Sequence, residues 1–134
     1  MTSPRSAHSF RTAVEAQDLD ALAETLALEV VLHSPVTFHP YVGRETVGAL
    51  LRLIAGTFED FRYTDELRSA DGVHALVFRA RVGGRELEGV DVLRLGADGL
   101  VADLTAIIRP LSGLTALAEA IGPKVQAAGL SPAM

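Results

Sequence analysis

Apolar positions recur along this chain first at helical and then at strand spacing, and the change of period near Phe61 divides it in two. Phe10, Ala13, Val14 and Gln17 follow an i, i+3, i+4, i+7 rule. Asp18 is placed to cap a second segment in which Leu19, Leu22, Ala23 and Leu26 repeat it. Two short helices therefore open the chain. Glu29 to His33 is rich in Val and Leu and stops at Ser34-Pro35, where proline favours extended backbone or a turn. Beyond Gly43, the residues Val47, Leu50, Leu51, Ile54, Ala55 and Phe58 mark one face of a longer helix ending near Glu59-Asp60.

From Phe61 onward the spacing is that of strands. Phe61 to Arg68, Val73 to Val82 and Glu86 to Leu95 are separated by turns at Asp71-Gly72 and Gly83-Gly84, and Leu100 to Arg109 follows a further turn at Asp98-Gly99. Tight glycine turns impose antiparallel pairing, so the fold class is α+β, with helices on one face of a curved antiparallel sheet. Ser112 is placed to cap a final helix carrying Leu114, Leu117, Ala118 and Ile121, with Gly122-Pro123 as its stop. Residues 1–134 read as one domain with a core over about 7–121 and a flexible tail over 124–134.

Composition narrows the partners. Half the residues are hydrophobic (49%), so much apolar surface must be buried, line a cavity or meet another subunit. The net charge is −5 with a single lysine, Lys124, and scattered arginines, which argues against nucleic acid and anionic membrane. There is no cysteine, hence no disulfide or thiolate chemistry, and no apolar run approaches the roughly 18 residues of a membrane span. These features are those expected of a cytoplasmic protein.

Asp91 is the anomaly. It stands among Gly89-Val90-Asp91-Val92-Leu93, and an ionised carboxylate buried without partners costs several kcal/mol of solvation, so it must be paired, protonated or turned toward a cavity. Strand parity puts Leu87, Gly89, Asp91 and Leu93 on one face, opposite Leu76, Phe78, Ala80 and Val82 of the preceding strand. The other face carries Arg79, Arg81, Glu88 and Arg94, as cross-strand ion pairs or a polar dimer surface. Asp91 reads either as a site carboxyl or as a structural acid bonded to a nearby Ser, Tyr or His. His39 lies in an irregular loop where parity is silent, whereas parity turns His33 outward. Tyr41 and Tyr63 are candidate donors to a carbonyl or epoxide oxygen, with packing as the plainer role. Phe58 and Phe61 read as core or pocket wall. Arg109 reads as a partner of a ligand carboxylate or, more plainly, as a salt-bridge partner of Asp103 or of an acid elsewhere, and His8 and His74 read as exposed. No histidine and acid spacing matches a metal site, and no cofactor motif is present.

The order of elements, the loop from Ser34-Pro35-Val36 to Gly43-Arg44-Glu45, and the hairpin Gly89-Val90-Asp91-Val92-Leu93-Arg94-Leu95 with Asp98-Gly99 resemble the SnoaL-like branch of the nuclear transport factor 2-like superfamily, over roughly Ala7 to Ile121. The resemblance implies a cone-shaped sheet wrapped around the N-terminal helices and the long helix, an enclosed apolar pocket, and a homodimer through the back of the sheet. Its pocket would draw on Phe10, Val14, Ser34, His39, Tyr41, Phe58, Tyr63, Leu76, Phe78, Ala80, Leu87, Gly89, Leu93, Leu104, Ala106 and Ile108. Set beside ketosteroid isomerases, Asp91 falls where that group keeps a neutral carboxylic acid that donates to the substrate oxygen. The tyrosine of the first helix falls at Phe10 and the proton-shuttling aspartate at Ser34, so the usual isomerase set is incomplete. The water-activating set of the epoxide hydrolases needs an asparagine, which is absent, and the last-strand acid of the hydrolases and polyketide cyclases falls at Ala106. What the resemblance implies is a pocket for a hydrophobic carbonyl compound, with Asp91 as acid or base in cofactor-independent isomerisation, cyclisation or dehydration. A ligand-binding or dimerising module without turnover is the alternative.

Overall fold

The computed structural model describes residues 7–133, with side chains from Ser9 onward, so the expectation for His8 lies outside the described side chains. Helices α1 (Ala7–Glu15) and α2 (Leu19–Glu24) lead into strand β1 (Leu26–His33), a two-residue strand β2 (Tyr41–Val42) and helix α3 (Arg44–Ala55). Four long strands follow, β3 (Glu59–Arg68), β4 (Val73–Val82), β5 (Arg85–Leu95) and β6 (Val101–Arg109), and helix α4 (Leu111–Ala127) closes the chain. The strands form one mixed sheet in the order β2-β1-β6-β5-β4-β3, antiparallel throughout except where β1 runs parallel to β6. The helices fill its concave side, which gives an unclosed, curved α+β cone.

Local chemistry accounts for most boundaries. Asp18 caps α2 by accepting a hydrogen bond from the Ala21 amide at 3.1 Å, a contact worth about 1 kcal/mol. Gly43 enters α3 at a φ of +98°, in the left-handed region that side chains disfavour. The hairpin turns at Gly72 and at Gly83-Gly84 likewise take positive φ. Leu26, Val30, Leu32, Val47, Leu50, Leu76, Leu93, Val101 and Leu104 form the innermost core.

Several boundaries differ from the sequence expectation. Leu26 begins β1 instead of continuing the second helix. Helix α3 ends at Ala55, because Gly56 takes the capping position and the Thr57 hydroxyl bonds the Leu53 carbonyl. Strand β3 starts at Glu59, two residues early, with Asp60 at a φ of +52° beside a register shift. Helix α4 runs through Gly122-Pro123 to Ala127, so the segment from Lys124 is not the loose tail expected. Proline forfeits one helical hydrogen bond, but Val125 and Leu130 pack against the core and the Ala133 amide bonds the Pro40 carbonyl at 2.7 Å. The N-cap of α4 is Pro110 instead of Ser112. The helix lies so close to β5 that a Cβ on Gly113 would stand 2.8 Å from both the Glu86 carbonyl oxygen and the Leu87 Cβ, which requires glycine there.

Candidate functional site

The inward rows of the sheet are read directly from its register. Leu76, Asp91 and Ala106 form one row across β4, β5 and β6; Phe78, Gly89 and Ile108 form the next, and Tyr63 of β3 extends it beyond Phe78. A cavity of about 110 Å³ lies over these rows. Its floor is Tyr63, Phe78, Asp91, Leu104, Ala106 and Ile108. Phe10 and Val14 of α1, Leu22 of α2, and Leu51 and Ile54 of α3 roof it, together with Phe58, Phe61 and Leu117. Gln17, Ala55, Pro35 and Ser34 also line it; the first two are exposed, which locates the mouth between the ends of α1 and α3 and the loop after β1.

Asp91 is the chemical centre of this space. It lies within the fold, and the surface it retains is turned to the cavity. No described residue hydrogen-bonds its carboxyl, so nothing offsets the loss of water, and burial pushes its pKa up to about 7. At neutral pH the group is divided between acid and carboxylate, and is able to give or take a proton. Burial raises the Tyr63 phenol well above its ordinary value, the nearness of Asp91 and Glu15 adds to this, and Arg11 opposes it. The Arg11 guanidinium sits 5.5 Å from the centre of the Tyr63 ring and is held by Glu66 at 3.2 Å and Glu15 at 3.4 Å. Burial pushes Glu66 upward, but Arg68 and Arg11 outweigh it and hold the carboxyl below its ordinary value.

Ten of the residues expected at the pocket line this cavity: Asp91, Phe10, Val14, Ser34, Phe58, Tyr63, Phe78, Leu104, Ala106 and Ile108. The others do not reach it. Leu76, Ala80, Leu87 and Leu93 point inward as parity requires but are sealed in the core, Leu87 beneath Gly113 of α4. Gly89 is covered by Phe78, whose ring would lie 2.4 Å from a Cβ at that position. Tyr41 is buried where β2 pairs with Leu32, and His39 is exposed in its loop with Phe38 edge-on at 5.8 Å. Parity assigns a face; it does not say what covers that face. Phe61 lines it too, as one of the two phenylalanines read as core or pocket wall, whereas Gln17, Leu22, Leu32, Pro35, Leu51, Ile54, Ala55 and Leu117 were not foreseen as lining, although the apolar stripe of α3 carried the signal for Leu51 and Ile54.

Outside the cavity, the expectation for His74 changes and those for the outer-face charges hold. His74 is buried, with no partner for its Nδ1 among the described residues; burial first, then Arg68, lowers its pKa. Arg109 pairs with Glu88 at 3.3 Å, while Asp103 lies 3.1 Å from His33 on the outer face. Arg79 and Arg81 pair with Glu88 and Asp60, as cross-strand charges do. Among the described residues no cluster of three or more His, Asp or Glu is arranged to hold a metal ion, and no helix is long and apolar enough to cross a membrane.

Comparison with known proteins gives a consistent picture. A family model described as a SnoaL-like domain matches residues 7–104. A steroid delta-isomerase from Pseudomonas aeruginosa is 36% identical in sequence, over 91% of this chain and 90% of that one, with a TM-score of 0.86. An uncharacterised bacterial protein with a cystatin-like fold from Silicibacter pomeroyi is 27% identical over 92% and 86% of the two chains, also with a TM-score of 0.86. A SnoaL-like polyketide cyclase, so described, from Shewanella denitrificans shares the fold at 12% identity, a TM-score of 0.64, and 84% and 93% coverage. No curated protein matches the sequence.

Proposed function

The chain belongs to the SnoaL-like domain family, and on that premise we propose that its cavity binds a neutral, hydrophobic small molecule carrying a carbonyl group, on which Asp91 moves a proton. The observation that carries this reading is the unpartnered Asp91 carboxyl at about pKa 7 in a mostly apolar chamber. Proton transfer next to a carbonyl is common to isomerisation, cyclisation and dehydration, and it requires a group that changes charge near the working pH. The likeness to a steroid delta-isomerase supports chemistry of this kind. Apolar walls favour a hydrophobic ligand, and the lone carboxyl disfavours an anionic one.

One observation favours a second reading, binding without turnover. Ser34 stands where the related isomerases carry a second acid, and its hydroxyl accepts a hydrogen bond from the Val36 amide at 3.0 Å. Asp91 is then the only carboxyl among the described cavity residues. A screen of hydrophobic ketones and epoxides for thermal stabilisation, followed by turnover assays of parent and Asp91→Asn, separates the two. Retained binding with lost turnover supports proton transfer; unchanged turnover in the variant refutes it.

We further propose a homodimer through the outer sheet face. Ala75, Val77, Val90 and Val92 are half-buried there, Ile107 is 57% exposed, and Arg79, Glu88 and Arg109 flank them. An apolar centre with a charged rim is the usual make-up of a subunit interface.

A further inference from the structure

A single carboxyl cannot serve a ketone twice at once. To hold the carbonyl oxygen as a donor Asp91 must be protonated; to remove a proton from the neighbouring carbon it must be ionised. If Asp91 is the proton mover, as proposed above, the oxygen needs a donor from another residue. Phe10 has no hydroxyl, Gln17 is exposed at the mouth, and Ser34 lies in the loop after β1 that borders the same mouth, its oxygen held by the Val36 amide.

Tyr63 meets the requirement. Its side chain lines the cavity, yet the residue is only 8% exposed, and no described residue hydrogen-bonds its hydroxyl. The ring is fixed on two sides, edge-on to Phe61 at 5.0 Å and beneath the Arg11 guanidinium at 5.5 Å. Phe78 lies between Tyr63 and Gly89 in the register, and the missing side chain at Gly89 lets the Phe78 ring settle against β5 instead of filling the chamber. We propose that the Tyr63 hydroxyl holds the ligand's carbonyl oxygen, which leaves Asp91 free to move the proton at the adjacent carbon. This rests on the carbonyl reading given above.

The step balances. The Asp91 carboxylate takes a hydrogen from the α-carbon; the C–H electron pair forms a carbon–carbon double bond while the carbonyl π pair moves onto oxygen, where the Tyr63 O–H donates to it. The Asp91 acid then returns the proton to carbon, and the carbonyl reforms. No co-reactant is needed. Because burial raises the phenol, Tyr63 remains a donor throughout the range in which Asp91 titrates. The cavity also limits size. An apolar cavity of about 150 Å³ holds one benzene, so about 110 Å³ takes roughly one ring, with any larger part of the ligand emerging past Gln17 and Pro35.

Cyclohex-2-enone labelled with ¹³C at the carbonyl is a suitable probe, since a hydrogen bond to the oxygen moves that resonance downfield whereas a purely structural residue leaves it alone. Relative to the parent protein, Tyr63→Phe should move the bound signal upfield and weaken binding about three- to tenfold, one neutral hydrogen bond. Asp91→Asn should keep the downfield signal. Replacing both tyrosines of the chain by 3-fluorotyrosine, a stronger donor, should move it further downfield. An unmoved signal in Tyr63→Phe, or one that moves in Asp91→Asn instead, overturns the assignment to Tyr63 while leaving the carbonyl reading in place. Failure of the parent to bind the enone removes both.

Discussion

Replacing Asp91 by Asn should change how stability depends on pH, in a direction opposite to that of most carboxylates. Burial raises the folded carboxyl from 3.8 to about 7. Folding thus favours the protonated form. Stability associated with this residue is fully present below about pH 4, declines as pH rises because the unfolded chain ionises first, and levels off above about pH 7. At about 1.4 kcal/mol per pH unit the whole decline is about 4 kcal/mol, of which about 1.5 is already lost by pH 5. Between pH 5 and 8.5 the parent should therefore lose up to about 2.5 kcal/mol that Asp91→Asn keeps. Contact with the cavity makes this a ceiling, and about 1 to 2.5 kcal/mol is the working range. The asparagine amide is itself desolvated, but equally at both pH values, so it cancels in the comparison. Urea unfolding of parent and variant at the two pH values measures the quantity, and groups common to both proteins also cancel. A parent-to-variant difference that does not change with pH would refute the claim that this carboxyl is held protonated by burial.

Other consequences are equally open to measurement. Gly89→Ala places a Cβ 2.4 Å from the Phe78 ring and 2.8 Å from the Ile107 carbonyl oxygen; it should cost about 1 to 3 kcal/mol in denaturant unfolding. His74 is held neutral by burial and by Arg68, so stability should fall as pH drops below about 6.5, where the unfolded chain takes up a proton. His74→Leu should remove that loss, with a larger gain in melting temperature at pH 5.5 than at pH 8. Ile107→Lys on the outer face should shift a dimer to monomer in light scattering after gel filtration while leaving the circular dichroism spectrum unchanged.

The sheet was the most legible part of the fold. Period-two alternation and paired glycine turns give β4 and β5 their register, and the same parity turns Asp91 inward. Helix ends were less legible, because they are decided by tertiary packing. Nothing local to Gly122-Pro123 announces that Val125 and Leu130 will find the core. The site was legible by face but not by cover. Leu76, Leu87 and Leu93 share parity with Asp91, yet they are sealed by elements far away in sequence, and Gly89 is hidden by one aromatic ring. His74 reads as a polar residue near a turn, while its place between Arg68 and Leu93 on the inner face comes from register across three strands. The Tyr63 hydroxyl stands out only once Arg11 and Phe61 are seen to fix its ring.

Exchange of α-hydrogens for deuterium on a hydrophobic cyclic ketone, followed by proton NMR in D₂O, most directly tests whether Asp91 is the proton-moving group of an apolar carbonyl site. The parent protein should accelerate exchange, with a rate that rises as the carboxyl ionises through about pH 7, and Asp91→Asn should return it to the buffer rate. Equal exchange in parent and variant, or a rate indifferent to pH across that range, would contradict the account.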